Sequence, residues 1–209
     1  MSHPTYKLTY FDVRGVAEAV RFVFAYAKIP FEDVRIPWSS PTDWPALKPK
    51  TPFRQLPYLE IDGEVYGQSA AFTRLVAKKY NLAGTTDEEQ AHVDAIADYI
   101  KDIWNSIYKF WMEPDAEKKE KLRDEYFKTG LVEHLDVLES HLNGYGKGKF
   151  FVPSGVTWAD FVVATFAFTL QKHFPATLEQ REALKAHMER VNNLPGIKEW
   201  IAKRPQTDD

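Results

Sequence analysis

No cysteine occurs among the 209 residues. That absence excludes a disulfide, a thiolate nucleophile and a thiolate zinc site together. Any thiol chemistry must use a thiol that the substrate brings, and a glutaredoxin-like redox role is closed. Long basic runs are also missing and the net charge is −3, so nucleic acid is not an expected partner. The longest apolar stretch, Phe161 to Leu170, is far too short to span a bilayer, and no membrane association is expected. The opening residues, MSHPTYKL, have neither the basic n-region nor the apolar h-region of a secretory signal, which makes a cytoplasmic location the expectation. The six histidines do not cluster at ligand spacing.

What is present is ordinary globular material, 44% hydrophobic and 27% charged, in a length that suits one large or two small domains. Two compositions meet near residue 82, where NLAGTT (81–86) reads as a linker. Before it, YKLTY (6–10) alternates as a strand, with Tyr6, Leu8 and Tyr10 on one face. GVAEAVRFVFAYAK then places Val16, Ala17, Val20, Phe24 and Ala27 on one helical face, and FEDVRI (31–36) alternates again. This order predicts a βαβ unit with parallel strands. Residues 37–57 hold six of the thirteen prolines and no glycine, so they cannot join a central sheet and read as a stiff surface connection around one short helix. YLEI and EVYG flank Asp62-Gly63, a strong hairpin signal. SAAFTRLVAKKY (69–80) closes the unit as a helix with Phe72, Leu75, Val76 and Tyr80 inward.

After residue 87 strand signals almost vanish. Two long helical patterns, 87–111 and 116–142, are separated by Glu113-Pro114, and GYGKGK (144–149) is a clear break. TWADFVVATFAFTLQK is apolar nearly all round and reads as the buried central helix of a bundle. Thr157 and Asp160 have capping-box spacing, so Asp160 is expected to cap that helix rather than to take part in chemistry. A last short helix is expected to begin at Pro195. Tyr10 stands where a buried strand gives way to a loop, as an edge aromatic of the core or as a phenol facing a ligand.

YKLTYFDVRGVAEAVRFVFAYAKIPFEDVRI, DWPALK, PFRQLPYLEIDG, QSAAFTRLVAKKYNLAG, HVDAIAD and SGVTWADF, in that order, make the chain similar to sigma-class glutathione S-transferases over residues 4–206. The resemblance implies an α/β thioredoxin-like domain (βαβ-ββα, residues 1–81) that binds glutathione. An all-α domain (82–209) carrying the hydrophobic substrate site follows. It implies glutathione as co-substrate, a homodimer, and attack of the glutathione thiol on apolar electrophiles. Tyr10 matches the tyrosine whose hydroxyl meets the sulfur. A free thiol has a pKa of about 8.5, so a donor aimed at sulfur would raise the reactive thiolate fraction.

Further matches are Trp44 and Lys48 toward the glycine carboxylate, Gln55 and Leu56 along the peptide with Leu56-Pro57 cis, and Gln68 and Ser69 toward the γ-glutamyl carboxylate at a helix start. For Ser69 the plain reading is a helix N-cap. Asp102 matches an acid that reaches the partner subunit's γ-glutamyl ammonium. Phe11, Val16 and Trp104 match the hydrophobic site.

Three positions depart from the family's pattern. Val16 stands where RGR is common, leaving a less cationic pocket than that of the family's prostaglandin D synthases. Arg54 stands where PFGQ is common. An aspartate trio that binds a divalent ion becomes Asp98, Lys101 and Asp102, so no metal is expected. The alternatives to a transferase are a prostaglandin-H2 D-isomerase and a non-catalytic crystallin-like or ligand-binding protein. The last would take haem or lipid ligands with Trp104, Tyr108 and Trp111 as candidate contacts.

Overall fold

A computed structural model describes residues 4–207. The chain divides into two compact units, Met1–Leu82 with Asn192–Asp209, and Ala83–Val191. The expected boundary gave residues 192–209 to the second domain; here they group with the first, because the final helix packs on the first helix of the chain.

In the first unit, β1 (Tyr6–Phe11) is followed by a short 3₁₀ turn at Gly15–Ala17 and by α1 (Glu18–Tyr26). Strand β2 (Glu32–Ile36) runs parallel to β1, with Tyr10 opposite Arg35. The hairpin of β3 (Tyr58–Ile61) and β4 (Glu64–Gly67) adds antiparallel strands, giving the order β2-β1-β3-β4. Asp62 (φ 52°) and Gly63 (φ 89°) both turn left-handed, as a two-residue hairpin requires. The proline-rich connection winds into α2 (Asp43–Leu47) and two 3₁₀ turns, more helix than composition suggested, because prolines sit within first turns where a missing N–H costs nothing.

Helix α3 (Ser69–Lys79) buries Phe72 and Val76, while Leu75 and Tyr80 are half-buried. Its N-cap is Gln68 (φ 65°), so Ser69 is the first helical residue rather than the cap. Leu8, Val20, Phe22, Leu59, Phe72 and Ile197 fill the core of this unit.

The second unit is helical: α4 (Asp87–Trp111), α5 (Ala116–Glu125), α6 (Leu131–Asn143), α7 (Trp158–His173), α8 (Ala176–Glu179) and α9 (Glu182–Asn192). A π-helical turn at Tyr126–Gly130 joins α5 to α6, so the second long pattern is one rod with a wide turn inside it. The last helix, α10 (Ile197–Lys203), starts two residues beyond Pro195 with Gly196 (φ 83°) as its N-cap. A Cβ at Gly196 would lie 2.2 Å from the Ala25 carbonyl, so glycine alone permits this approach.

Helix α7 is buried along most of its length, and Asp160 organises its start. Its Oδ2 accepts from the Thr157 N–H (2.7 Å) and hydroxyl (2.9 Å). Its Oδ1 accepts from the Phe151 N–H (3.0 Å) and lies 2.9 Å from His187 Nε2 on α9. Both Asp160 and His187 are fully buried. The carboxyl therefore does more than cap, since it ties the preceding loop and another helix to the same point. Each buried donor stranded by its loss costs about 1–3 kcal/mol. Asp160→Ala is expected to lower stability by about 3 kcal/mol or more in denaturant unfolding, against about 1 kcal/mol for Thr157→Ala. A loss near 1 kcal/mol for both would reduce Asp160 to a cap.

Candidate functional site

The end of β1 is built around Tyr10. The residue is 9% exposed, its ring lies 5.7 Å from that of Phe11, and the chain leaves the strand just beyond it. The loop then returns across the phenol. Gly15 has φ 40°, and a Cβ there would stand 2.7 Å from the Tyr10 hydroxyl oxygen and 2.9 Å from Cε1. Only a residue without a side chain can pass so near that hydroxyl. Tyr6 occupies the same face deeper in the sheet, 3% exposed, with its hydroxyl 3.1 Å from that of Tyr80. Burial first, and the Tyr80 hydroxyl second, push its phenol well above the usual tyrosine range. Both tyrosines are buried, but Tyr6 is paired with Tyr80 deep in the strand and Tyr10 stands at its end.

Aromatic and polar groups gather beside Tyr10. Phe11 meets Trp44 of α2 at 5.7 Å and Trp38 at 4.6 Å, both edge-on, and the Lys48 ammonium lies 6.0 Å from the Trp44 ring. Trp38, 72% exposed, was not legible as part of this cluster, since it sits in the proline-rich stretch with no periodic signal. Just before the adjacent strand β3, the Leu56-Pro57 bond is cis, as the resemblance implies. Gln68 Nε2 donates to Gln55 Oε1 at 3.2 Å, bringing the cap of α3 to the approach to β3. The first N–H groups of α3, those of Ser69 and Ala70, lie at the helix end where the positive dipole concentrates. Val16 is half-buried within the 3₁₀ turn. The structure thus assembles Tyr10, Phe11, Trp44 and Lys48 in one contact chain, and Gln55 with Gln68 in a second.

Asp102 and Trp104 belong to the second unit. Asp98, Lys101 and Asp102 are all exposed on α4. Trp104 is half-buried, edge-on to Phe166 of α7 at 5.4 Å. Among the described residues no group of three or more His, Asp or Glu side chains could hold a metal ion.

A buried ion network underlies the Tyr10 loop. Glu18 and Arg21 are both 0% exposed and 3.1 Å apart. Arg21 Nη1 also donates to the carbonyls of Val13 (2.9 Å) and Arg14 (3.4 Å), and its Nε donates to Asp33 (3.1 Å). Asp33 in turn accepts from Arg35, which reaches Asp12. Glu18 Oε1 accepts from Trp200 Nε1 (2.8 Å) and Arg204 Nη1 (2.6 Å). Burial pushes the Glu18 carboxyl up most strongly of any single influence. Arg21, Arg204 and the hydrogen bonds from Trp200 and Arg204 together outweigh it, leaving the carboxyl below the usual range. Sequence reading missed these residues; the one available signal was a Glu and an Arg at i, i+3 within an otherwise apolar helix.

Comparison with known proteins agrees with this geometry. Residues 6–78 match the family described as "Glutathione S-transferase, N-terminal domain", and residues 101–204 match "Glutathione S-transferase, C-terminal domain". The chain is 42% identical to "Glutathione S-transferase 1" of Ascaris suum over 207 residues, covering 98% of each. It is 38% identical to "Hematopoietic prostaglandin D synthase" of Homo sapiens over 205 residues, again covering 98% of each. Among solved structures it is similar to a glutathione S-transferase of Ascaris lumbricoides, with a TM-score of 0.84 and 41% identity over 99% of this chain and 100% of that one. It is also similar to rat hPGDS complexed with a quinoline, with a TM-score of 0.89 and 36% identity over the same shares. The chain belongs to the glutathione S-transferase family.

One feature of the rim departs from what its backbone favours. Phe53 (φ 56°) and Arg54 (φ 51°) are consecutive left-handed residues with side chains, just where the resemblance leads one to expect glycine at position 54. A left-handed residue bearing a Cβ costs roughly 1–2 kcal/mol. Arg54→Gly is therefore expected to raise stability by about 1 kcal/mol in denaturant unfolding, part of the strain relief being offset by the greater freedom of an unfolded glycine. An unchanged or lower midpoint would mean that the arginine side chain repays its strain through contacts.

Proposed function

We propose that the protein is a sigma-class glutathione transferase that activates the glutathione thiol for attack on apolar electrophiles. The observation that carries this reading is the Tyr10 phenol at the end of β1, 9% exposed, with its hydroxyl against the side-chain-free backbone of Gly15. In this reading the hydroxyl donates to the sulfur and favours thiolate over thiol. Each unit of thiol pKa depression corresponds to about 1.4 kcal/mol of that preference. Trp44 and Lys48 hold the glycine carboxylate. Gln55 and Leu56 align the peptide, Leu56 pairing with it as an added strand would. Gln68, Ser69 and the start of α3 take the γ-glutamyl carboxylate. Asp102 reaches the γ-glutamyl ammonium held by a second copy, so the working form is a homodimer, placed in the cytoplasm. The resemblance assigns Phe11 and Val16 of the first unit, and Trp104 of the second, to holding the electrophile.

Replacing Tyr10 with Phe tests this directly. Conjugation of a model electrophile is expected to fall by roughly 10²–10³ with the fold intact, the loss typical of one preorganised donor to a developing anion. Glutathione affinity should change far less, because the carboxylates are held elsewhere. Full activity in Tyr10→Phe would sink the assignment. A glutathione-affinity column and the same conjugation assay on the unaltered protein separate a transferase from a non-catalytic binder.

The relatives named prostaglandin D synthase give a second reading some support. Such an isomerase attacks one peroxide oxygen of an endoperoxide with the thiolate, and negative charge develops on the other oxygen as the bond opens. A cationic pocket favours both groups, and Val16 removes a charge there. We expect clear conjugation activity and slow, unselective prostaglandin isomerisation, with Val16→Arg raising the isomerase rate relative to conjugation. Fast, selective formation of the D isomer by the unaltered protein would make the synthase reading the better one.

A further inference from the structure

We propose that Arg21 is a positioning residue for the thiol-activating loop, and that the C-terminal residues Trp200 and Arg204 hold it in place through Glu18. The inference rests on the reading of Tyr10 given above. A buried ion pair is by itself weak evidence of stabilisation, since removing two charges from water costs as much as their attraction returns. What distinguishes this one is where its remaining hydrogen bonds go. Arg21 Nη1 is shared among the Val13 carbonyl, the Arg14 carbonyl and Glu18 Oε2. Those two carbonyls immediately precede Gly15, whose Cα is the backbone that faces the Tyr10 hydroxyl. The guanidinium thus pins the segment that fixes how closely the wall approaches the phenol's tip.

The pin is itself braced. Arg21 Nε and Nη2 both lie 3.1 Å from Asp33 of β2, the strand parallel to β1. Glu18 faces Arg21 with one oxygen and gives the other to Trp200 Nε1 and Arg204 Nη1. Glu18 and Arg21 are fully buried and Arg204 is 7% exposed, so water has little access to the contacts these three make with one another. A lysine at position 21 keeps the charge but not the fork, and cannot serve Asp33, two carbonyls and Glu18 together. The loop would then shift relative to Tyr10, and a displacement well under 1 Å matters when a single donor must meet sulfur in line.

The test is the titration of enzyme-bound glutathione, followed by the ultraviolet absorbance of its thiolate, together with the pH profile of kcat/KM for a model electrophile. In Arg21→Lys the titration midpoint is expected to rise by about one unit. The rate constant should fall about fivefold near pH 6.5 and rejoin the unaltered protein's near pH 9, where both thiols are ionised. Glutathione Kd should stay within about twofold. Trp200→Phe keeps an aromatic ring at this position but loses the pyrrole half of the indole with its N–H to Glu18, so it should move the midpoint the same way by a smaller amount, with a loss of about twofold at low pH. It carries the test should Arg21→Lys not accumulate as folded protein. A folded variant of either kind with the unaltered midpoint, or a loss equal at every pH that tracks the folded fraction, overturns the proposal. Absence of any thiolate signal in the unaltered protein would overturn the transferase reading and this one together.

Discussion

A guanidinium withdrawn completely from water must find acceptors inside the protein, and Arg21 finds them on three separate pieces of chain: β2, the loop after β1, and its own helix. Much else in the first unit follows from satisfying that one group. Asp33 must face inward from an edge strand, and Arg35 is drawn beside it. Glu18 must be buried in turn, and a buried carboxylate needs donors of its own. They come from α10 and its cap, which is why α10 closes on α1. The interaction is local in sequence at its centre and reaches the far terminus at its rim.

The left-handed residues show a second kind of organisation. Gly15, Phe53, Arg54 and Gln68 all have positive φ, in the turn that follows β1, the turn that precedes β3 and the cap that opens α3. Sharp backbone reversals bring peptide groups to the surface there, which suits recognition of a ligand that is itself a peptide. Gly67 adds to this, since a Cβ on it would strike the Phe53 ring at 2.6 Å.

The elements with one strong period were legible from sequence. The strands on either side of Asp62-Gly63, the alternating YKLTY, and the helix 87–111 were readable because each buries a single face. The capping spacing of Thr157 and Asp160 was readable because it is confined to four residues. His187 as the fourth partner of Asp160 was not, since that pair joins residues 27 apart on different helices. Helix α9 went unread for a related reason: Leu184, Met188 and Val191 are spaced for a helix, but the buried position between them is a histidine, which breaks the apolar pattern. In the candidate site, the strand-end position of Tyr10 leaves two readings open, and only the resemblance assigns its hydroxyl to the sulfur. Glu18 and Arg21 are not legible, because charges in an amphipathic helix are expected to face water and only the tertiary fold reveals that these two do not. The Gln55–Gln68 contact likewise depends on the cap conformation of α3, a backbone property that composition does not carry.

The grouping of α10 with the first unit bears on how the chain is made. Synthesis proceeds from the amino terminus, so β1 to β4 and the helices among them emerge long before Trp200 and Arg204 do. Until Trp200 and Arg204 leave the ribosome, Glu18 and Arg21 have each other but lack two of the donors that close the network. The nascent first unit therefore waits, incompletely buried at α1, while the whole helical unit is being translated. Its last step of consolidation follows the synthesis of α10 rather than the appearance of its own sheet.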